Sequence, residues 1–297
     1  MTVVVASGKG GTGKTTVSVG LALSLEQPVH LLDCDVEAPN THLLLPNAGL
    51  DLASAQETNR CTVPVPRVNP DRCTGCGACS AFCGFGALAV VRNRVLFFDD
   101  LCHACGGCSL VCPEGAITEV PHEIGTIVDS HYGPIHHVLG ELHVGQTLAP
   151  PLIRAVKERA DGLATIIDAA PGTTCPVMEA ARGADAGLLV TENTPFGLHD
   201  LALAAEVFAD LGIPSGIVLN RAGIGHEDEE KLRAVSRRFG FPILMRIPFS
   251  DAIARAYAEG RPIVSAVPGL RTEFRAVYDE LARMAISPSG AVSGARS

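Results

Sequence analysis

TVVVASGKGGTGKTT, residues 2–16, is the stretch on which the fold turns. Thr2-Val3-Val4-Val5-Ala6 is a short run of apolar, β-branched residues, the composition of a buried strand. Gly8-Lys9-Gly10-Gly11-Thr12-Gly13-Lys14-Thr15 fits the pattern G-x-x-x-x-G-K-[ST]. The glycines let the backbone curl until its N–H groups point inward. The periodic segment from Lys14 to Leu25 predicts a helix whose positive end faces the same spot. A loop set between strand and helix in this way is a cradle for phosphate oxygens. Lys14 is placed to neutralise the outer phosphates, and the Thr15 hydroxyl to join the shell of a Mg2+ ion. Gly8, Gly10, Gly11, Thr12, Gly13 and Thr16 complete the expected phosphate contacts.

Outward from this loop, Val29–Asp33 is a second apolar run, bounded by Pro28 and by Asp33-Cys34-Asp35. Strand, helix and strand in that order imply a parallel sheet. The rhythm resumes later, with a helix over 150–161 and strands at Leu163–Asp168, Ala186–Thr191, Pro214–Leu219 and Pro242–Ile247. Helices at about 198–211, 227–239 and 272–284 alternate with them. The expected fold class is α/β, a doubly wound, mostly parallel sheet of the P-loop type. Leu163–Asp168 runs into Ala169-Ala170-Pro171-Gly172, an apolar strand ending in an acid and then a turn. Asp168 is expected to hold Mg2+ through water, and the Gly172 N–H to sense the terminal phosphate.

Between the two halves the pattern breaks. Pro64, Pro66 and Pro70 predict an extended linker, and Cys73 to Pro113 holds eight of the eleven cysteines. Cys73, Cys76, Cys79 and Cys83 form one C-x2-C-x2-C-x3-C run, and Cys102, Cys105, Cys108 and Cys112 a second. That spacing is the bacterial run for [4Fe–4S] clusters, in which the fourth cysteine serves the other cluster. One set is therefore Cys73, Cys76, Cys79 and Cys112, and the other is Cys102, Cys105, Cys108 and Cys83. Cys112 is followed by Pro113, whereas Cys83 is followed by Gly84, which loosens a turn without removing a ligand. Gly75, Gly77, Gly106 and Gly107 leave backbone N–H groups free to approach cluster sulfurs. Residues 121–148 carry His122, His131, His136, His137 and His143 without helical periodicity and are expected to be loop. The simplest parse is a phosphate-binding domain split into 1–63 and 119–286 around a small α+β insert at 64–118. The polar tail at 287–297 is expected to be disordered.

The formal charge of −9 argues against a partner that presents a phosphate backbone. With 3 Tyr and no Trp, stacking platforms for single-stranded nucleic acid are not expected either. No apolar run is long enough to cross a membrane, and the N-terminus lacks a basic, cleavable leader, so the expected compartment is the cytoplasm. There, cysteines serve as metal ligands more often than as disulfides.

Lys9-Gly10-Gly11-Thr12-Gly13-Lys14-Thr15-Thr16 resembles the deviant phosphate loop of the MinD/ParA class of ATPases. That resemblance implies an ATP-dependent homodimer in which Lys9 reaches the partner's nucleotide. It also implies that Asp33 helps order the Mg2+ shell and that Asp35 positions the attacking water. Lys9, Lys14 and Asp35 are thus the candidate catalytic residues. Asn220-Arg221 resembles the family's adenine-side pair, and Ile247-Pro248-Phe249 the loop over the base. From Val3 to about Met284 the chain resembles MinD-superfamily ATPases with an inserted ferredoxin domain. The implied function is a MgATP-driven switch that gates electron transfer, through two [4Fe–4S] clusters, to or from a redox partner protein. The alternative is an assembly or carrier ATPase for iron–sulfur or other metal cofactors, similar to the Mrp type. A positioning ATPase similar to MinD itself is a third possibility. Its basic membrane helix has no counterpart here, because residues 271–285 carry three Arg against three acids. Cys175, seven residues after Asp168, stands where the related nitrogenase iron protein places a ligand of a shared cluster. It is read either as a redox relay or transient cluster contact, or as a small buried packing residue.

Overall fold

Val3, Val4 and Val5 are wholly buried because β1 (Thr2–Ala6) runs through the interior of the main sheet. The computed structural model describes residues 1–45, 57–224 and 228–286. After β1 come α1 (Lys14–Ser24), β2 (Val29–Cys34) and β3 (Glu57–Val68). The cysteine-rich segment follows with α2 (Ala78–Phe82), β4 (Leu88–Val91), β5 (Arg94–Phe97) and α3 (Gly107–Leu110). Next are β6 (Ile117–Tyr132), β7 (Ile135–Leu142), α4 (Ala149–Lys157), β8 (Ala164–Ala169), α5 (Cys175–Ala181) and β9 (Ala186–Glu192). The chain closes with α6 (Pro195–Asp210), β10 (Ser215–Ala222), α7 (Glu229–Phe239), β11 (Ile243–Pro248), α8 (Asp251–Ala258), α9 (Ile263–Ala266) and α10 (Gly269–Ile286).

The strands of the main sheet lie in the order β11-β10-β9-β1-β8-β2-β7-β6-β3. From β11 to β7 all neighbours are parallel, and only β6 and β3 are added antiparallel at one edge. Helices cover both faces, as the doubly wound expectation requires. α4, α5, α6 and α7 bury Leu152, Val177, Phe208 and Leu232 on one side. α1, α9 and α10 bury Leu21, Ile263 and Phe274 on the other. No helix among the described residues is long and apolar enough to cross a membrane.

Two sequence expectations are corrected at the antiparallel edge. Pro64 and Pro66 do not mark a linker; they lie inside β3, which pairs with β6 from Glu57 to Val68. β3 is the outermost strand, where a residue without an N–H is tolerated. The histidine-rich stretch is not loop but largely the β6–β7 hairpin, with His131 opposite His136. The main sheet therefore carries the chain to Val68 and takes it up again at Ile117, leaving residues 69–116 outside it. There, β4 and β5 pair as a separate two-stranded sheet. The predicted tail at 287–297 lies outside the described residues.

Candidate functional site

β1, β2 and β8 end side by side, and their carboxyl ends carry the phosphate loop, Asp33 and Asp168. This is where an open parallel sheet offers a ligand crevice. The loop enters α1 through Gly13, whose φ of 89° is left-handed and whose missing Cβ would lie 2.1 Å from Asn220 Nδ2. No other residue fits that turn.

Lys14 donates to Asp168 Oδ1 at 3.0 Å and stands 3.6 Å from Asp35 Oδ2. Burial alone would pull its pKa down, but Asp168 and Asp35 outweigh that and hold it above the ordinary lysine value. The hydroxyls of Thr15 and Ser18 each donate to Asp168 at 2.8 Å. Thr15 and Asp168, two of the three side chains expected around Mg2+, are thus already adjacent. Ser18 was not anticipated, although its position one helical turn beyond Lys14 is a legible signal.

The loop lines a cavity of about 830 Å3. Its phosphate end is polar and includes Thr12, whose hydroxyl is buried without a hydrogen-bond partner. The far end is apolar, with Ile224, Pro248, Phe249, Ile253 and Tyr257. Size, an orphaned donor at one end and aromatic surface at the other fit a nucleotide. Sequence reading found Pro248 but missed Ile253 and Tyr257, whose four-residue spacing on α8 looks like ordinary core.

Several expected roles change. Asp33 belongs to the turn behind the loop, not to its mouth. It is wholly buried, and its oxygens accept the N–H groups of Asp35, Asn40 and Thr41 and the Thr41 hydroxyl. Burial and the nearby Asp168 push its pKa up to about 7. Asp35, raised by burial, is the carboxylate that lines the cavity. The Gly172 N–H donates to the Ser7 carbonyl at 2.8 Å. Asn220 lines the cavity but donates to the Thr12 carbonyl at 2.7 Å, so it braces the loop. Arg221 also lines the cavity and pairs with Glu192. Lys9 lies 3.7 Å from the same Glu192 carboxylate and is not part of the cavity lining.

In the cysteine-rich segment the two expected sets come together. Cys83, Cys102, Cys105 and Cys108 line one cavity of about 280 Å3. Cys73, Cys76, Cys79 and Cys112 line a narrower recess of about 20 Å3. α2 and α3 occupy matching places, each preceded by a left-handed glycine, Gly77 or Gly106. The Ala104 and Ala116 N–H groups donate to Cys102 and Cys112 sulfur at 3.4 and 3.2 Å. Burial raises the thiol pKa of Cys79, Cys102 and Cys108. Among the described residues, no three His, Cys, Asp or Glu side chains are gathered tightly enough for a single metal ion. The thiols instead ring cavities, and thiols with N–H donors aimed at sulfur are the donor set of an iron–sulfur group. The larger cavity has room for one as it stands; the narrower recess would have to spread. Cys34 and Cys61 are buried in β2 and β3. Cys175 begins α5 and is exposed, so it is not a buried packing residue.

Comparisons with known proteins bear on the nucleotide-binding fold. The family model of the CobQ/CobB/MinD/ParA nucleotide binding domain matches residues 3–263. An uncharacterized protein of Methanocaldococcus jannaschii, MJ0579, is 32% identical over 267 residues, 88% of this chain and 90% of that one. The structure of the septum site-determining protein MinD of Pyrococcus horikoshii, complexed with Mg-ADP, superposes with a TM-score of 0.58 at 20% identity. It covers 96% of this chain and 99% of that one, a likeness of fold. A shorter match, 48% identical over 58 residues, is to a cytosolic Fe-S cluster assembly factor Nubp2 homolog of Drosophila ananassae. It spans 18% of this chain and 22% of that one.

Proposed function

Because this chain belongs to the CobQ/CobB/MinD/ParA nucleotide binding domain family, we propose that it is a Mg2+-dependent ATPase coupled to two [4Fe–4S] clusters held by residues 69–116. One observation carries the proposal. The phosphate loop and the root of the cysteine-rich segment belong to one sheet, on β1, β2 and β8 and on β3 and β6. A shift at one is therefore transmitted through strands that also anchor the other.

In this role Lys14 holds the outer phosphates of MgATP, and Asp35, at the cavity wall, orients the attacking water. Thr15 and Asp168 hold Mg2+, which supplies neutralising charge to the phosphates. Pro248, Phe249 and Tyr257 cover the base. Lys9 serves the nucleotide of a second copy in an ATP-dependent homodimer, leaving Glu192 as it does so. Cys73, Cys76, Cys79 and Cys112 hold one cluster, and Cys83, Cys102, Cys105 and Cys108 the other; when bound, each cluster stores one electron. Nucleotide state then gates exchange of electrons with a partner protein. A second function, delivery of clusters to apo-proteins, draws support from the short likeness to the Nubp2 homolog.

The test is anaerobic reconstitution. About eight irons per chain are expected, with MgATP hydrolysis, and with reduced-cluster EPR and partner reduction rates that differ between ATP and ADP states. Identical rates in both states reject gating. Clusters that pass quantitatively to an apo-acceptor favour delivery.

A further inference from the structure

Asp33 does not face the nucleotide, yet it fixes a residue that does. Its Oδ1 accepts the Asp35 N–H at 3.1 Å, and its Oδ2 accepts the Asn40 and Thr41 N–H groups, both at 2.9 Å. The carboxylate thereby closes the turn between β2 and the 3-10 helix Thr41–Leu44. Asn40, Leu43 and Leu44 of that turn form part of the cavity wall, as does Asp35.

The Thr41 hydroxyl lies 2.8 Å from Asp33 Oδ2 and 2.8 Å from His137 Nε2. It owns one proton. The carboxylate already takes three backbone N–H groups and acts as an acceptor, so that proton goes to Asp33. Toward His137 the hydroxyl must then accept, which places the ring proton on Nε2. Nδ1 is left bare and accepts from the Ser130 hydroxyl at 3.1 Å, shorter than that hydroxyl's 3.4 Å approach to the His137 carbonyl. Ser130, His137 and Thr41 thus donate in one direction, ending on Asp33. Such a chain strengthens each of its bonds and penalises loss of any member. His137 is completely buried, and burial holds its pKa down to about 3, so the ring stays neutral, and its two hydrogen bonds set the tautomer.

We propose that His137 is a positioning residue for ATP hydrolysis, acting through Thr41 and Asp33 to set Asp35 against the phosphate loop. The proposal rests on the ATPase function above and adds to it a residue from a strand outside the phosphate motifs. His137 and Ser130 face each other on β7 and β6, the hairpin that leads back to the cysteine-rich segment.

The experiment compares His137→Gln, which keeps an N–H donor, with His137→Leu, which does not, in the full-length iron-loaded protein. Thr41→Ser and Thr41→Val form a parallel pair that keeps the proposal falsifiable if the leucine variant fails to fold. His137→Leu and Thr41→Val are expected to lower kcat roughly 10- to 100-fold while KM for MgATP stays within about twofold. His137→Gln and Thr41→Ser are expected to restore most of the turnover. Nitrogen-15 NMR at about pH 8 is expected to show the Nε2–H tautomer of a neutral ring. Wild-type kcat in the folded leucine and valine variants overturns the proposal. So does equal loss in the glutamine and leucine variants, which marks packing, or an Nδ1–H tautomer. A wild-type protein that binds MgATP without hydrolysing it overturns the ATPase function itself, and this role with it.

Discussion

At the phosphate loop nearly every charged group already has a protein partner. Lys14 is bonded to Asp168, Asp168 takes the Thr15 and Ser18 hydroxyls, and Asp33 accepts four donors. In the cysteine-rich segment the reverse holds. Its small buried cluster, Cys79, Leu88 and Cys108 packed on Ile117 of β6, holds only Ala87 and Ala116 besides as buried apolar side chains, so thiols make up much of what fills the interior. Its only sheet is the pair β4–β5. The first site is organised by the protein before any ligand arrives. The second is a shell around cavities, and a unit of this size rarely stands without a metal or disulfide staple. Preorganised electrostatics suits a site that must bind and release a nucleotide repeatedly. A shell completed by its contents suits a resident group.

The most severe way to break this contrast is to remove the iron that the proposed function places in the cysteine shell. In chelated, anaerobically prepared protein, amides of residues 73–116 are expected to lose at least about a thousandfold of their exchange protection, while those of β1 and β8 keep theirs. Hydrogen exchange read by mass spectrometry decides the matter. Equal protection with and without iron means that the segment folds on its own and the contrast fails.

The opposite site is probed by Lys14→Met. Turnover is expected to fall roughly 10²- to 10³-fold. The variant also leaves Asp168 and Asp35 facing each other without their cation, a loss of about 3 kcal/mol in urea unfolding of the nucleotide-free protein. Iron content should be unchanged. A loss of iron in this variant shows that the phosphate loop supports the cysteine shell directly.

How the two regions were legible differs for the same physical reason. The cysteine sets follow from spacing alone, because ligand geometry is imposed by what is bound and needs no knowledge of the strands around it. β1, β2, β8, β9, β10 and β11 were also readable, since strands buried on both faces are continuous apolar runs. β3, β6 and β7 were not. Cys61, Val63 and Val65 point inward on β3, and Thr62 and Pro64 outward, but the prolines mask that alternation until β6 is known to lie alongside. Asp33 shows the other limit. An Asp-x-Asp pair does not say which carboxylate faces the ligand, and the choice is made by the turn to Thr41, a tertiary feature. The tie between Thr41, on a 3-10 helix, and His137, on β7, joins elements far apart in sequence and left no local trace.

Cys112→Ser sharpens the contrast within the shell. Cys112 shares its recess with Cys73, Cys76 and Cys79, not with the triplet nearest in sequence. The variant should lose about four of about eight irons and leave the set around Cys83 intact. Cys83→Ser should produce the complementary loss. Quantitative iron analysis with EPR of the remaining cluster distinguishes the two. If Cys112→Ser instead empties the Cys102, Cys105 and Cys108 set, the crossed pairing is wrong.

The smallest effect is expected from Cys175→Ser, and it tests whether the two regions are chemically separate. Cys175 opens α5, directly beyond the Pro171-Gly172 turn, and lines neither thiol cavity. Its thiol is exposed. If the clusters are complete within residues 69–116, the serine variant retains wild-type iron content, EPR spectrum and ATPase rate. A selective fall in iron would mean that a thiol on the nucleotide side takes part in holding it. An unchanged iron count with slower partner reduction would mark Cys175 as a relay between the two sites. Either result would replace a contrast of two self-contained regions with one shared centre, so a variant expected to do nothing carries as much weight as those expected to abolish a function.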